Sequence, residues 1–355
     1  MAEGNPHAPI SLPPDVIFDV LSLLPVKCLC RFLCVSTEWR ALISDPAFVA
    51  VHKSRSEPLF LAYSFRFQES SLRLIDMDGN VVRVIADELG PLSKYSICSR
   101  VDDHACVVIG SFTSKVVDLA TAEVLVAFHG ARGALGFGRA VPSGAYKVVS
   151  LGNTCEVLTL RDRVGWRKKP SPSPYPYYSC NDSGIVVNGM WYLFVQQQGY
   201  TQQDTVLCFD LESEEWRKEN QGPPKDGHFW YTITLGELNG SLSVAKSKSG
   251  SRDRDRWIVW LLADSGKSIW VKAYVIPLDA SLYSGLTPLM VLHDGEKLLF
   301  SCSRPHGRGS APAPLLQIYD HRRGTCTDAL KMPPYCAWNI SLCNLNLERF
   351  ISVKI

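Results

Sequence analysis

Apolar residues change their spacing once along the chain, near residue 57. Before that point they recur every three or four positions. In "SLPPDVIFDVLSLLPVKCLCRFLCVSTEWRALISDPAF" (Ser11–Phe48), Val16, Ile17, Val20, Leu21 and Leu24 keep helical spacing, with Asp19 and Ser22 off the stripe. Pro14 suits a first helical position, where an amide hydrogen would be unpaired anyway. Asp15 then meets the positive end of the helix dipole. Pro25 disfavours helix at Leu24 and can itself open a second helix, carrying Val26, Leu29, Phe32 and Leu33. Ser36 fits as the N-cap of a third, with Glu38 in its first turn and Trp39, Leu42 and Ile43 on its apolar side. Asp45-Pro46 stops it. Three short helices in about 35 residues have too little interior to stand alone. The block is therefore expected to dock on the rest of the chain or on a partner.

Beyond residue 57 the pattern is short β-branched and aromatic runs separated by turn dipeptides, which reads as strands. Asp78-Gly79, Asn188-Gly189, Asn239-Gly240 and Asp294-Gly295 each lie between two such runs. Pairs of this kind suit type I′ hairpin turns, whose two central residues both need positive φ. A second register recurs: an apolar run closes on Asp, a polar turn follows, then a strand that often bears Trp. Its Asp positions are 76, 118, 162, 210, 264 and 320. Spacings of roughly 40–50 residues fit propeller blades of about four strands each, and two hairpins per period is what such a blade requires. The fold class expected is α+β multidomain: a small three-helix block followed by a mostly-β, six-bladed propeller-like domain. The drift in spacing keeps a β-sandwich with irregular hairpins open as the alternative.

Composition narrows the function classes. The 355 residues carry a formal net charge of +2 and are 46% hydrophobic, so bulk electrostatics favour neither nucleic acid nor a membrane surface. No apolar run approaches the roughly 18 residues needed to span a bilayer. The N-terminal residues lack a basic region followed by an apolar one, which sets the expectation of a cytoplasmic or nuclear protein. The 12 cysteines include no C-x-x-C pair, and no histidine stands at metal-ligand spacing from Cys28, Cys30 and Cys34. They read as small apolar residues with free thiols. No nucleophile elbow, zincin motif or P-loop is present. "GALGFGRA" (133–140) holds close glycines but does not join a strand to a helix, so the dinucleotide reading is weak.

The N-terminal block resembles an F-box. Leu12-Pro13, the Ile17/Leu21/Leu24 spacing, "LPVKCLCRF" and "CVSTEWRALISDPAF" follow that motif in order over residues 11–48. The phrases "SGIVVNGMWYLF", "TVLCFDLESEEWRKE", "LGELNGSLSVA" and "WIVWLLADSGKSIWVKAYVIPL" are similar to the F-box-associated domain of plant F-box proteins, over roughly residues 95–335. The resemblance implies residues 1–10 as a disordered N-terminus, an F-box at 11–50 and a β-propeller-like interaction domain at 57–355. It further implies a substrate-recognition adaptor of a Skp–cullin–F-box ubiquitin ligase, non-catalytic and without cofactor or metal. Leu12, Pro13, Ile17, Leu21, Leu24, Pro25, Val26, Leu29, Val35 and Leu42 would meet a Skp-family adaptor, which links to the cullin. Leu33 and Trp39 would pack the F-box interior. Cys28, Cys30 and Thr37 depart from the usual Ser, Leu and basic residue, and bear on the strength of docking.

A client protein would be held by the β domain. Candidates come from the loops: Tyr175, Tyr177 and Tyr178 in "PSPSPYPYYS", His228 and Trp230 in "DGHFWYT", and Arg254 in "SKSGSRDRDR". For the charged loop the alternative is a solvated hairpin tip, and for Trp230 a buried blade aromatic. The competing function is a propeller scaffold that acts without a ligase.

Overall fold

A computed structural model describes residues 12–24, 26–55, 59–66, 69–86, 98–101, 104–109, 113–119, 121–129, 133–162, 164–172, 184–196, 203–224, 230–248, 256–278, 285–292, 295–303, 315–331 and 336–343. They fall into two compact units, one of helices before Leu59 and one of strands over Leu59–Cys343.

The first unit has four helices: α1 (Pro14–Ser22), α2 (Val26–Phe32), α3 (Thr37–Ile43) and α4 (Pro46–Arg55). Pro14 sits at the start of α1, and Ser36 caps α3 by accepting from the Trp39 amide at 3.1 Å. The fourth helix was not expected. Asp45-Pro46 ends α3, but it also opens α4, because Pro is suited to a first turn and the Asp45 carboxylate accepts from the Ala47 amide at 2.7 Å. This helix supplies Phe48 and Val49 to a core with Leu21, Leu29, Leu33 and Ile43. Phe18 meets Phe48 edge-on at 5.2 Å, and Phe32 meets Trp39 in the same way at 5.2 Å. The unit therefore has an interior of its own, which three helices would have lacked.

The second unit is built of antiparallel sheets. In chain order the strands are β1 (Leu59–Arg66), β2 (Glu69–Ile75) and β3 (Val81–Ala86); β4 (Cys98–Val101), β5 (His104–Ile109), β6 (Thr113–Asp118) and β7 (Val124–His129); β8 (Ala134–Arg139), β9 (Tyr146–Leu151), β10 (Cys155–Thr159) and β11 (Arg167–Lys169). Then come β12 (Ile185–Val187), β13 (Met190–Val195), β14 (Thr205–Asp210), β15 (Glu215–Trp216) and β16 (Asn220–Gln221); β17 (Trp230–Leu238), β18 (Ser241–Lys248), β19 (Trp257–Asp264) and β20 (Ile269–Ile276); β21 (Gly285–Leu292), β22 (Lys297–Ser303), β23 (Leu315–Asp320) and β24 (Thr325–Lys331); and last β25 (Cys336–Cys343). The final strand returns to pair with β1, so the first blade runs β25-β1-β2-β3 and draws on both ends of the unit. The innermost strands β4, β8, β12, β17, β21 and β25 adjoin one another in a closed ring. This is a six-bladed propeller, and the sandwich alternative is set aside.

The core lies between blades. In "MWYLFV" (Met190–Val195), Trp191, Leu193 and Val195 pack with Val149, Leu151 and Val157 of the third blade. Tyr192 and Phe194 pack with Leu235, Val244 and Trp260 of the fifth. Alternate side chains thus face opposite neighbours, and a strand covered on both faces reads as a continuous apolar run. The glycines of "GALGFGRA" belong to this packing. Gly136 and Gly138 lie on β8 and Gly133 just before it, and a Cβ on Gly136 would stand 2.6 Å from the Trp191 indole.

Five of the six Asp of the recurring register end the third strand of a blade or follow it directly, and Asp162 lies three residues past β10; all six sit at the outer hairpin. Each carboxylate accepts backbone N–H groups of its own turn, from Asp78 and Asn80 to Asp76, Thr121 to Asp118, Val164 to Asp162, Glu212 and Ser213 to Asp210, Lys267 to Asp264 and Arg323 to Asp320. The inner hairpins Asn188-Gly189 (φ +50° and +76°) and Asn239-Gly240 (φ +51° and +74°) have the two positive φ values of a type I′ turn. Asp78-Gly79 does not, since only Gly79 is left-handed, at φ +85°. It closes an outer turn in which the Gly79 amide donates to the Asp76 carbonyl. Asp294 lies outside the described residues.

Turns also bind neighbouring blades. Glu214, at φ +57° in the outer turn of the fourth blade, meets three cations of the third: Lys147 at 2.9 Å, Arg167 at 2.5 Å and Lys169 at 2.7 Å. Burial pushes its carboxyl up, but the hydrogen bonds from Arg167, Lys169 and Lys147 outweigh this and hold it at about 2, against an ordinary 4.5. Lys246 and Asp204 form a fully buried ion pair, 3.2 Å apart, between the fifth and fourth blades.

Two outcomes are expected. Gly136→Ala drives a methyl group into Trp191 and destabilises the propeller by about 1–3 kcal/mol, read from the urea midpoint. Glu214 has a depressed carboxyl, so its contribution is complete above about pH 4.5 and is lost as pH falls toward 2. Glu214→Gln leaves three cations facing a neutral group. The variant is less stable than wild type at neutral pH, and its unfolding free energy changes less on acidification through that window.

Candidate functional site

The sequence residues assigned to adaptor docking divide sharply by position. Helical spacing of about 100° per residue puts two apolar faces on α1. Leu21, with Ile17, Phe18 and Leu24 beside it, turns inward. Val16, Val20 and Leu23 turn outward and are 43%, 52% and 70% exposed, and Leu12, preceding the helix, is 58% exposed. Ser22 goes inward too, its hydroxyl donating to the Asp19 carbonyl at 2.9 Å. Reading Val16, Ile17, Val20, Leu21 and Leu24 as one stripe merged these faces.

Leu21 and Leu29 are 2% and 0% exposed. That corrects their assignment to an adaptor-facing surface: both are consumed by the interior, Leu21 against α4 and Leu29 in the same cluster. Leu12, Pro13 and Val35 are exposed, while Ile17, Leu24 and Leu42 are half-buried at the margin of the core. Leu33 is interior and Trp39 packs against it in the same cluster. Pro25 and the side chain of Val26 lie outside the described residues. Sequence reasoning missed Val16, Val20 and Leu23 as surface. The signal was available: they keep the i, i+4, i+7 spacing, one step round from Ile17, Leu21 and Leu24.

The exposed stripe is held by a fixed frame. Pro13 is extended at φ −56° and ψ 142°, and the Ile17 amide donates to its carbonyl at 3.1 Å. At the far end of α1, His52 of α4 lies 2.8 Å from the Leu24 carbonyl and stacks on Phe48. Arg40 of α3 donates to the Leu33 carbonyl at 3.1 Å, which ties α3 to the end of α2.

None of the client candidates of the β domain has a described side chain. Tyr175, Tyr177, Tyr178, His228 and Arg254 lie outside the described residues. Trp230 opens β17, the innermost strand of the fifth blade, and its side chain is likewise outside them. Among the described residues no group of three His, Cys, Asp or Glu converges as a metal site, and no helix is long and apolar enough to cross a membrane.

Known proteins correspond to both units. Residues 10–50 match the F-box domain, and residues 113–306, more than half of the chain, match the F-box associated beta propeller domain. An F-box/kelch-repeat protein of Arabidopsis thaliana is 25% identical, over 83% of this chain and 89% of that protein. A putative F-box protein of the same plant is 28% identical, over 89% of this chain and 86% of that protein. With an F-box ahead of a six-bladed propeller of this kind, the chain belongs to the plant F-box proteins that carry an F-box-associated β-propeller domain.

Proposed function

We propose that this protein is a substrate-recognition subunit of a Skp–cullin–F-box ubiquitin ligase. The helical unit holds a Skp-family adaptor, and through it the cullin, while the propeller holds a client protein. The observation that carries the reading is the exposed apolar row Leu12, Val16, Val20 and Leu23 on a helical unit whose core is already complete. The subunit makes and breaks no bond. It raises the effective concentration of client lysines beside the charged ubiquitin enzyme, an intramolecular advantage that needs only tethering. Such work fits the cytosol or nucleus, where the ligase and its clients meet.

Each apolar side chain fully buried against a partner is worth about 1.5–3 kcal/mol. Leu12→Asp and Val20→Asp, both on exposed positions, should therefore each weaken capture of a purified Skp-type adaptor at least about tenfold while circular dichroism and the melting of both units stay unchanged. Leu21→Asp should instead unfold the helical unit. Undiminished adaptor capture by the folded Leu12→Asp/Val20→Asp double variant would sink the proposal.

A further inference from the structure

The third blade carries a charge found on none of the other outer strands. Residues 161–169 of the β10–β11 hairpin hold five basic side chains against one acidic, a net +4 where the whole chain is +2. Two of the carboxylates near them are already engaged. Glu214 is shared by Lys147, Arg167 and Lys169, and Asp162 faces Arg167 at 3.5 Å. Glu156 stands opposite Lys168 in register, yet among the described residues the two form no ion pair. Lys168 and Arg161 are exposed, and Arg161 sits at φ +65° on the turn. Strand β11 ends its sheet, so its outer edge has no strand beside it among the described residues.

Cations on an edge strand can serve simply to prevent sheet-to-sheet aggregation. That explanation predicts them on every outer strand. Elsewhere cations are sparse: β3 carries Arg83 beside exposed Val81, Val82 and Val84, β20 carries Lys272 beside exposed Ile269 and Val271, and β7 exposes Val124 and has neither lysine nor arginine. The concentration on one blade, beside an unpaired strand edge, is specific. A strand edge offers backbone hydrogen bonds to an extended peptide, and flanking cations select its side chains. Among the described residues of the hairpin, the cations not held by a carboxylate are Lys168 and Arg161, with the Arg167 guanidinium held by Glu214, Thr159 and Asp162. Among the described residues no paired arginine fork is left for the bidentate grip that favours phosphate. We infer that the β10–β11 hairpin of the third blade binds an extended client segment rich in Asp and Glu, through Arg161 and Lys168 and the open edge of β11. This names the client chemistry and rests on the recognition role proposed above.

The test uses the full chain and short labelled peptides alternating Glu with Thr, beside a Gln/Thr counterpart and a phosphoserine/Thr counterpart, read by fluorescence anisotropy. The Glu peptide should bind, weaken as salt is raised and lose at least about tenfold in affinity to an Arg161→Glu/Lys168→Glu double variant. The Gln peptide should not bind, and Lys267→Glu on the fifth blade should leave binding of the Glu peptide unchanged. Equal binding of Glu and Gln peptides, or wild-type affinity in the double variant, overturns the inference. Much tighter binding of the phosphoserine peptide overturns the choice of carboxylate. Adaptor capture is measured on the same samples. Its loss with peptide binding intact strikes only the ligase reading, and the converse strikes only this one.

Discussion

Each blade of this propeller is apolar on both faces, and neither face can be left to water. That requirement organises the second unit. A sheet with one wet face can stand at the surface of a sandwich; a sheet such as β12–β16, with Trp191 on one side and Phe194 on the other, needs a neighbour on each. Adding blades in a row only moves the uncovered face along, so the series must close. Closure comes from β25, which completes the sheet of β1 while Phe60 and Ala62 pack with Leu299 and Leu316 of the sixth blade.

Polar groups then fix what packing leaves free. The indole N–H of Trp216 reaches the Pro170 carbonyl of the preceding blade at 2.9 Å, and that of Trp270 reaches Gln221 in the same sense at 2.7 Å. Trp166 packs edge-on against Phe128 of the second blade at 5.3 Å. The Asn188 side chain donates to the Gly240 carbonyl of the next inner hairpin at 2.8 Å. Hydrophobic contact sets the spacing of blades, and these directional bonds set their angular register.

The parts of this architecture that repeat were legible in the sequence, because repetition turns a weak local signal into a strong one. One Asp after an apolar run says little, but six at comparable spacing mark six outer hairpins. Singular features were hidden. Asp45-Pro46 was a stop and a start at once, and a single Pro cannot tell the two apart. Asp78-Gly79 has the letters of a type I′ turn but lies in a wider Asp-capped one. The inward and outward faces of α1 are both apolar, so spacing alone separates Leu21 from Val20 only by one step. Ring closure by β25 has no local signature, because its partner lies nearly the whole unit away in sequence. The Glu214 hub was equally silent: its three cations come from β9 and β11, and only the fold brings them to one carboxylate.

The pairing of β25 with β1 gives biosynthesis a direction. The first blade made is the last one finished, since its innermost strand leaves the ribosome after all the others. Until then β1 presents an open edge and the sixth blade an uncovered face. A chain cut short by even its final strand keeps most of its residues and loses its closure, so the ring is complete only when translation has passed Cys343.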